Sequence, residues 1–460
     1  MMNENTYHVI KDPVHGTIQF TALEDKWVKP FIDSPNFQRL RHIKQLGMGD
    51  FIFPGAVHTR FNHCLGCCYV ASQISQKIGL AEEERQVVVI ACLLHDIGHG
   101  PFSHTFEDLF HHKLIRHEDW TPFFLADYRS NEFFTQYNRL NPRHHLSEEK
   151  FQMIEDMIMH HSPNKRVLAD IVSSQLDADR LDYLLRDSHF CGVAYGHFDF
   201  RWMLNCMAIV ESDQGERLGI THKGIGVVEH YLVARRLMIR NIYHYQKKLA
   251  LEFFLVSLLK SLAENLTDSL FAEIKSTRLG KFLSAVHTFN QQVKTFNNPD
   301  VMKKQFLKDN YFLYRELCDY DVFAVIKLLS EKNSDHPAVQ IAKRLQLRQM
   351  PKIMRLDQVD VTAAIQALEN FKTQHKNTIQ DWQINLIKTP HQSYSIDEDA
   401  ILVVNEQGTV KPINEISLMI NAISDKFEHT AFLCIDKSLM QNEKVSQLIN
   451  QLATTPLGIA

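Results

Sequence analysis

Four residues at three places in the chain have the types needed to hold a divalent cation. His95 and Asp96 are adjacent and follow Val87 to Leu94, a run apolar on every side that reads as a buried helix. A carboxylate delivered beside a core is costly unless it is paired or ligated. Gly98, Gly100 and Pro101 stop that helix and leave an irregular turn able to open toward a ligand. His63 in TRFNHCLG (59–66) and Asp179 in QLDADRLDY (175–183) supply partners, each on a segment that reads as a neighbouring helix. The aspartates at 177, 179 and 182 share a stretch rich in leucine, so they cannot all be idle surface charge. Two imidazoles and two carboxylates form a mixed nitrogen and oxygen set that suits Mn, Fe or Mg and admits Ni, with Zn a further ion that a crystal could carry. An ion so held lowers the pKa of bound water and generates a nucleophile at neutral pH. The chemistry expected is metal-assisted hydrolysis.

The elements that must position these residues are helical. Apolar residues at helical spacing predict helices over 82–94, 151–160, 170–186 and 225–251, and alternation with an internal Pro and Gly predicts a hairpin over 7–20. Helical pattern continues to about 375. Strands are then expected at 384–387, 400–404 and 430–435, alternating with a helical run over 413–423 and a terminal helix near 443–452. The fold class expected is mainly α: a helical core with the hairpin (1–250), a helical extension (251–375) and a small α+β C-terminal lobe (376–460).

Composition sets outer bounds. The 460 residues are 45% hydrophobic and 23% charged, which describes a globular chain large enough to fold without disulfides. The eight cysteines are therefore expected as reduced thiols, and Cys64 and Cys67 lack the second pair that a structural zinc site needs. A net charge of −4 gives no electrostatic case for nucleic acid. No apolar run reaches membrane-spanning length and Met1 to His8 lack a secretory pattern, so a cytoplasmic location is expected.

The order His63, His95-Asp96, Asp179 resembles the pattern that gives the HD superfamily its name. The surroundings are similar to those of the deoxynucleoside triphosphate (dNTP) triphosphohydrolases, both the HD domain of the animal enzymes that join a sterile-alpha-motif to it and their bacterial relatives. The stretches that carry the likeness are DPVHG (12–16), FQRLRHIKQLG (37–47), FPGAVHTRFNHCLG (53–66), HDIGHGPFSH (95–104) and DRLDYLLRD (179–187). This resemblance implies a fold, an activity and roles. His104 with Glu107 would be the acid/base dyad at the scissile phosphorus, a position where the family also uses Asp. His99 and His117 would line the phosphates, with His117 counted among the catalytic groups. Arg60, Arg180 and Arg235 would hold the triphosphate, where a guanidinium fork suits phosphate oxygens. Gln45 and Asp187 would read the sugar 3′-hydroxyl, while Leu46, Tyr183 and Tyr243 would leave no room for a 2′-hydroxyl. One departure is Tyr245, where the family leads one to expect histidine.

The resemblance also implies regulation by a guanine nucleotide, GTP or dGTP, bound between the subunits of a homo-oligomer, a dimer or tetramer. Asp33, Gln38 and Arg41 would read the base, and Arg348 and Lys352 in LRQMPK (347–352) would face its phosphates. A second, activating deoxynucleotide fits less well, because Trp202, Thr221 and Val227 stand where the animal enzymes have arginine or asparagine. The leading expectation is hydrolysis of a dNTP to deoxynucleoside and inorganic triphosphate. The alternatives are an HD phosphodiesterase or nucleotidase acting on another nucleotide, and a nucleotide-binding regulator that keeps the fold without turnover.

Overall fold

The computed structural model describes residues 8–20, 26–161, 165–213, 215–295, 298–356, 360–392, 394–395 and 400–454. The protein is mainly helical, with a smaller mixed α+β region toward its C-terminus. Three helices build the part of the core that matters for the site, and local signals fix their ends. In Arg60–Ile78, Thr59 and Asn62 form a capping box and Gly79 closes the helix in the left-handed conformation at φ 76°. Glu82–Leu94 opens with Glu82, Glu83 and Glu84 in its first turn, where the helix dipole favours negative charge, and every residue from Gln86 onward is buried. Ala178–Cys191 starts at Asp177, whose carboxylate accepts the Arg180 N–H, and ends at Gly192, φ 68°. Arg60–Ile78 packs against both of the others, so the beginning of one helix, the end of the second and the beginning of the third meet.

Two helices predicted as continuous are broken. The 170–186 stretch is interrupted between Arg166–Val172 and Ala178–Cys191, because Asp177 turns back to cap the second helix and also accepts the Ser174 N–H at 2.8 Å. The 225–251 stretch divides into Ile225–Met238 and Gln246–Asn265, separated by a π turn over Ile239–Tyr243 in which the His244 N–H reaches back to the Ile239 carbonyl at 2.8 Å. Apolar periodicity survives a π turn, so the pattern concealed it.

The hairpin is β1 (His8–Asp12) with β2 (Gly16–Phe20); Tyr7, included in the expectation, lies outside the described residues. A second hairpin, β3 (Met207–Ser212) and β4 (Gly215–Thr221), falls in the region read as helical. The later strands are β5 (Lys352–Leu356), β6 (Ile384–Gln392), β7 (Leu402–Val404), β8 (Val410–Pro412) and β9 (Phe427–Ile435). They divide between two sheets. β7 and β8 extend the β3–β4 hairpin, with Gly219 opposite Leu402 in a parallel pair, whereas β5, β9 and β6 form a separate antiparallel sheet covered by Val361–His375 and Glu443–Thr454. The C-terminal segment is thus stitched into the body by the first sheet. The run over 413–423 is a short 3-10 turn, Ile413–Glu415, followed by the helix Leu418–Ile423.

Candidate metal centre

His63 lies in the first turn of Arg60–Ile78, His95 caps the end of Glu82–Leu94 with Asp96 next to it, and Asp179 lies in the first turn of Ala178–Cys191. These helix ends bring His63, His95 and Asp179 to one point, joined by Cys67, with Asp96 at its edge and shared with His99 at 3.2 Å. His63 Nε2 is 2.9 Å from Asp179 Oδ1 and 3.7 Å from Asp96 Oδ2, and His95 Nε2 is 3.6 Å from an oxygen of each carboxylate.

The other nitrogen of each ring decides what the site presents. His95 Nδ1 lies 2.8 Å from the Cys92 carbonyl oxygen, which only accepts, so Nδ1 carries the proton and Nε2 is left with its lone pair. That Nε2 is buried, has no hydrogen-bond partner and faces two carboxylates. A lone pair and carboxylate oxygens aimed at one another are reconciled by a cation between them, and this donor set fits a divalent metal. His63 Nδ1 is likewise engaged, by Asp182 Oδ2 at 2.8 Å. Although burial opposes its charge, hydrogen bonds to Asp179 and Asp182 push His63 up to about 10. Burial works against the charge of Asp96 as well, yet Arg60, His95 and His99 hold it well below the usual carboxylate range. Cys67 Sγ comes within 3.5 Å of both His63 ring nitrogens, but burial raises its thiol, so it packs as a neutral group. Cys64 is raised for the same reason.

Behind the ligands stands a fully buried network. Asp182 receives Arg186 on both oxygens at 2.9 Å, His15 at 2.6 Å and His63, and Arg186 continues to Asp12 at 2.8 Å. Asp12 and His15 belong to the turn of the N-terminal hairpin, which thereby grips the back of a candidate ligand. Among the three aspartates of 177–182, one caps, one faces the site and one supports it.

A second cluster borders the first. The rings of His99 and His117 stack at 3.6 Å between centroids, and His104 stands edge-on to both at 5.2 Å. Glu107 Oε1 is 3.3 Å from His104 Nδ1 but 2.7 Å from His117 Nδ1, so the expected His104–Glu107 pair is a triad whose shorter bond goes to His117. His104 is the exposed member, its side chain 68% accessible. The two imidazoles hold Glu107 below its ordinary range despite burial, so it stays an acceptor. Gly98 lets this turn pass under the next helix, since a Cβ there would sit 2.3 Å from the His117 carbonyl oxygen.

Both clusters open into a cavity of about 1400 Å³ whose wall includes Gln45, Leu46, Arg60, His99, Tyr183, Asp187 and Tyr243, and which runs past Lys248 to Trp382 and Lys388 of the C-terminal lobe. Asp187 is bound by Tyr243 OH at 2.9 Å and by His58 Nε2 at 2.7 Å. The π turn is what brings Tyr243 to it, and His58 had no sequence signal beyond its place in the FPGAVHTRFNHCLG stretch. Gln45 Oε1 is buried without a partner. Arg60 faces the cavity with its guanidinium committed to Asp96 and, through Nε, to Ser103 Oγ at 2.8 Å. Arg180 and Arg235 lie outside that wall, joined through Gln175 Oε1 at 2.9 and 3.0 Å.

A distant helix holds two loops of the site together. Asp319, at the start of Asp319–Ser330, accepts the backbone N–H of Lys44 at 2.9 Å and of Phe102 at 2.7 Å, tying the Gln45 loop to a turn whose Phe102 and Ser103 both have positive φ. Burial raises the Asp319 carboxyl to about 6, against those two N–H groups. It therefore holds its proton more tightly than the unfolded chain, and its contribution to stability, full at low pH, is lost as pH rises through about 6. Relative to Asp319→Asn, the wild type should lose on the order of 2–3 kcal/mol between about pH 4 and pH 7, read from urea unfolding of both proteins at each pH. Parallel profiles would refute this.

The residues expected to bind a regulatory nucleotide fall into two groups. Asp33 pairs with Lys29, Gln38 donates to the Ile32 carbonyl at 2.7 Å and accepts Arg41 Nε at 2.7 Å, and Arg41 lies over the Phe61 ring. Arg348 donates to the Phe51 carbonyl at 2.7 Å, and Lys352 starts β5, exposed. No described hydrogen bond or ion pair joins the two groups within the chain.

Residues 60–187 match the HD domain family, a span that contains all four candidate ligands. An uncharacterised protein of Bacillus subtilis is 37% identical over 257 residues, 55% of this chain and 55% of its own length. The Homo sapiens deoxynucleoside triphosphate triphosphohydrolase SAMHD1 is 32% identical over 271 residues, 53% of this chain and 42% of its own. The crystal structure of a phosphohydrolase from Bacteroides thetaiotaomicron is similar over 94% of this chain and 100% of that one, with a TM-score of 0.71 and 28% identity. The chain spans about half the length of the curated relatives it matches. Among the described residues no helix is long and apolar enough to cross a membrane.

Proposed function

We propose, on the premise that this chain carries an HD domain, that it is a metal-dependent phosphohydrolase cleaving dNTPs to deoxynucleoside and inorganic triphosphate. The observation that carries this reading is the single cavity that holds Asp96 and Asp179 together with Gln45, Asp187 and Tyr243. A divalent ion held by His63, His95, Asp96 and Asp179 would supply Lewis-acid polarisation of the phosphate and of the attacking water. Arg60 keeps Asp96 ionised and adds positive charge where phosphoryl charge develops. His104, exposed in the cavity and within 3.3 Å of the ionised Glu107, would pass a proton to the departing nucleoside oxygen. Asp187, fixed by His58 and Tyr243, and Gln45, with a free buried oxygen, are the polar groups for a sugar hydroxyl, while Leu46, Tyr183 and the Tyr243 ring crowd the space beside it. The likeness to a dNTP triphosphohydrolase over half the chain supports the substrate class.

The test is product analysis across the four dNTPs and GTP, alone and in mixtures, with Mn, Fe or Mg. Intact triphosphate is the expected product; pyrophosphate or single phosphate would contradict the reading. GTP or dGTP activation through Asp33, Gln38, Arg41, Arg348 and Lys352 belongs to the same proposal, with the two groups meeting across subunits. It predicts a change in oligomer mass or rate on adding either nucleotide, and no change in both would sink it. The size of the cavity favours a second reading, a larger or differently phosphorylated nucleotide, since small-ligand sites span about 300–1000 Å³. The same substrate panel separates the two.

A further inference from the structure

A cleft of about 220 Å³ opens between the His111–Lys113 turn and the helices Gln246–Asn265 and Arg278–Val293. His111, His112, His287, Lys260 and Lys294 line it, against Glu264 as the acidic side chain of the described wall. Among the described residues no ion pair engages either lysine or His287, although the chain as a whole is net negative. Lys260 has Asp108 and Glu264 acting on it, but Asp108 is also paired with Lys113, and Lys294 has no acidic partner among the described ion pairs, so the concavity keeps an excess of positive charge that an anion would stabilise. His111 registers the convergence: it is held below the ordinary histidine range by burial and then by the positive charges of His112, Lys294 and Lys260.

The backbone supplies an independent observation. His112 and Lys113 both adopt positive φ, 49° and 53°, a conformation that side chains with a Cβ rarely take. Asn290 fastens the turn from the facing helix, accepting the His111 N–H at 2.9 Å and donating to the Leu109 carbonyl at 2.7 Å. This clamp sets the two imidazoles 4.1 Å apart, centroid to centroid, at the rim of the cleft. Strain of this kind persists where the surrounding structure imposes it, and it concentrates at binding sites.

We propose that this cleft is an anion site that takes a pyrophosphate-sized group. Its volume is below that of ordinary small-molecule sites, so a whole nucleotide would not be enclosed, whereas two phosphoryl groups would. Lys260 lines both this cleft and the main cavity, so the site borders the outer reach of that cavity. The group is either a free polyphosphate or the phosphate tail of a nucleotide whose nucleoside lies outside.

The experiment is calorimetric titration of the full chain with inorganic pyrophosphate, and separately with a nucleoside triphosphate, in the wild type and in Lys294→Ala, Lys294→Glu and His287→Ala. The wild type should bind pyrophosphate, with affinity reduced at least tenfold in His287→Ala and further in Lys294→Glu than in Lys294→Ala, while turnover at saturating substrate stays within about twofold. The targeted side chains are partly or wholly exposed, so the variants should keep the wild-type thermal transition. A free-polyphosphate site binds pyrophosphate and the nucleoside triphosphate alike; a nucleotide-tail site prefers the nucleoside triphosphate over pyrophosphate at least tenfold. Equal pyrophosphate affinity in all four proteins would overturn the proposal. So would a cleft that loses nickel or zinc binding in His287→Ala while pyrophosphate binding is unchanged, because the histidines would then be metal ligands.

Discussion

Asp179→Ala should lower turnover by about a thousandfold or more and remove tightly bound divalent metal, with helical content and thermal transition retained. Asp179 is the candidate ligand on the open side of the cluster: its side chain is 35% exposed and lines the cavity, while His63 is fully buried. Truncation there creates no buried hole, and buried His63 loses one carboxylate but keeps Asp182, so a large functional loss with little loss of stability is the signature to look for. The carboxylate also supplies half the negative charge facing the two imidazoles, because Asp96 is its only ionised counterpart within the four. Metal content by elemental analysis and competition with a chelator would report binding separately from rate. Unchanged turnover would remove Asp179 from the site, and turnover absent from the wild type under every metal and substrate would favour the reading as a nucleotide-binding regulator.

The His/Asp cluster was legible because its determinants are local. A buried apolar run ending in His-Asp, followed by two glycines and a proline, tells the chain where to put a carboxylate, and the structure ends the helix at Leu94, one residue before His95. The aspartates of 177–182 were legible as a group but not individually. Which one caps, which faces the site and which supports it depends on a break at 173–177 that apolar periodicity does not show, since Leu176, Leu181, Leu184 and Leu185 can still be read as one side of a continuous helix.

What stayed hidden is what the tertiary fold assembles from distant segments. Nothing near Asp319 connects it to Lys44 or Phe102, yet its carboxylate joins their loops. His58 reaches Asp187 across 129 positions. Arg180, near the start of Ala178–Cys191, and Arg235, in the last turn of Ile225–Met238, were expected to hold the triphosphate; they meet at Gln175, outside the described cavity wall. The hairpin of β3 and β4 was concealed for a different reason: its sheet is completed by β7 and β8 from nearly two hundred residues later, and residues 217–220 of β4 are buried in succession, so inside and outside do not alternate along it.

Asp182→Ala is expected to be the most destabilising single substitution around the site, by about 3–5 kcal/mol, the range measured when one partner of a buried pair is removed. Arg186 has 0% side-chain exposure, and without Asp182 its guanidinium would keep Asp12 alone while the ring nitrogens of His15 and His63 lose their acceptor. Against a total stability of about 5–15 kcal/mol, a loss of that size moves the unfolding midpoint far enough to measure directly by urea titration. Two further substitutions separate the network from the single side chain. Gly66→Ala leaves every polar group in place but puts a Cβ 1.8 Å from Asp182 Oδ1 and 2.4 Å from Arg186 Nη2, so the pair must shift and much of the loss should recur. His15→Ala removes one hydrogen bond from the same carboxylate without stranding Arg186, so its cost in stability should be smaller, about 1–3 kcal/mol, while metal affinity falls tenfold or more because the support of His63 is loosened. If His15→Ala left metal affinity unchanged, the hairpin would be a structural strap alone, and the grip of Asp12 and His15 on the back of the site would have no part in holding the ion.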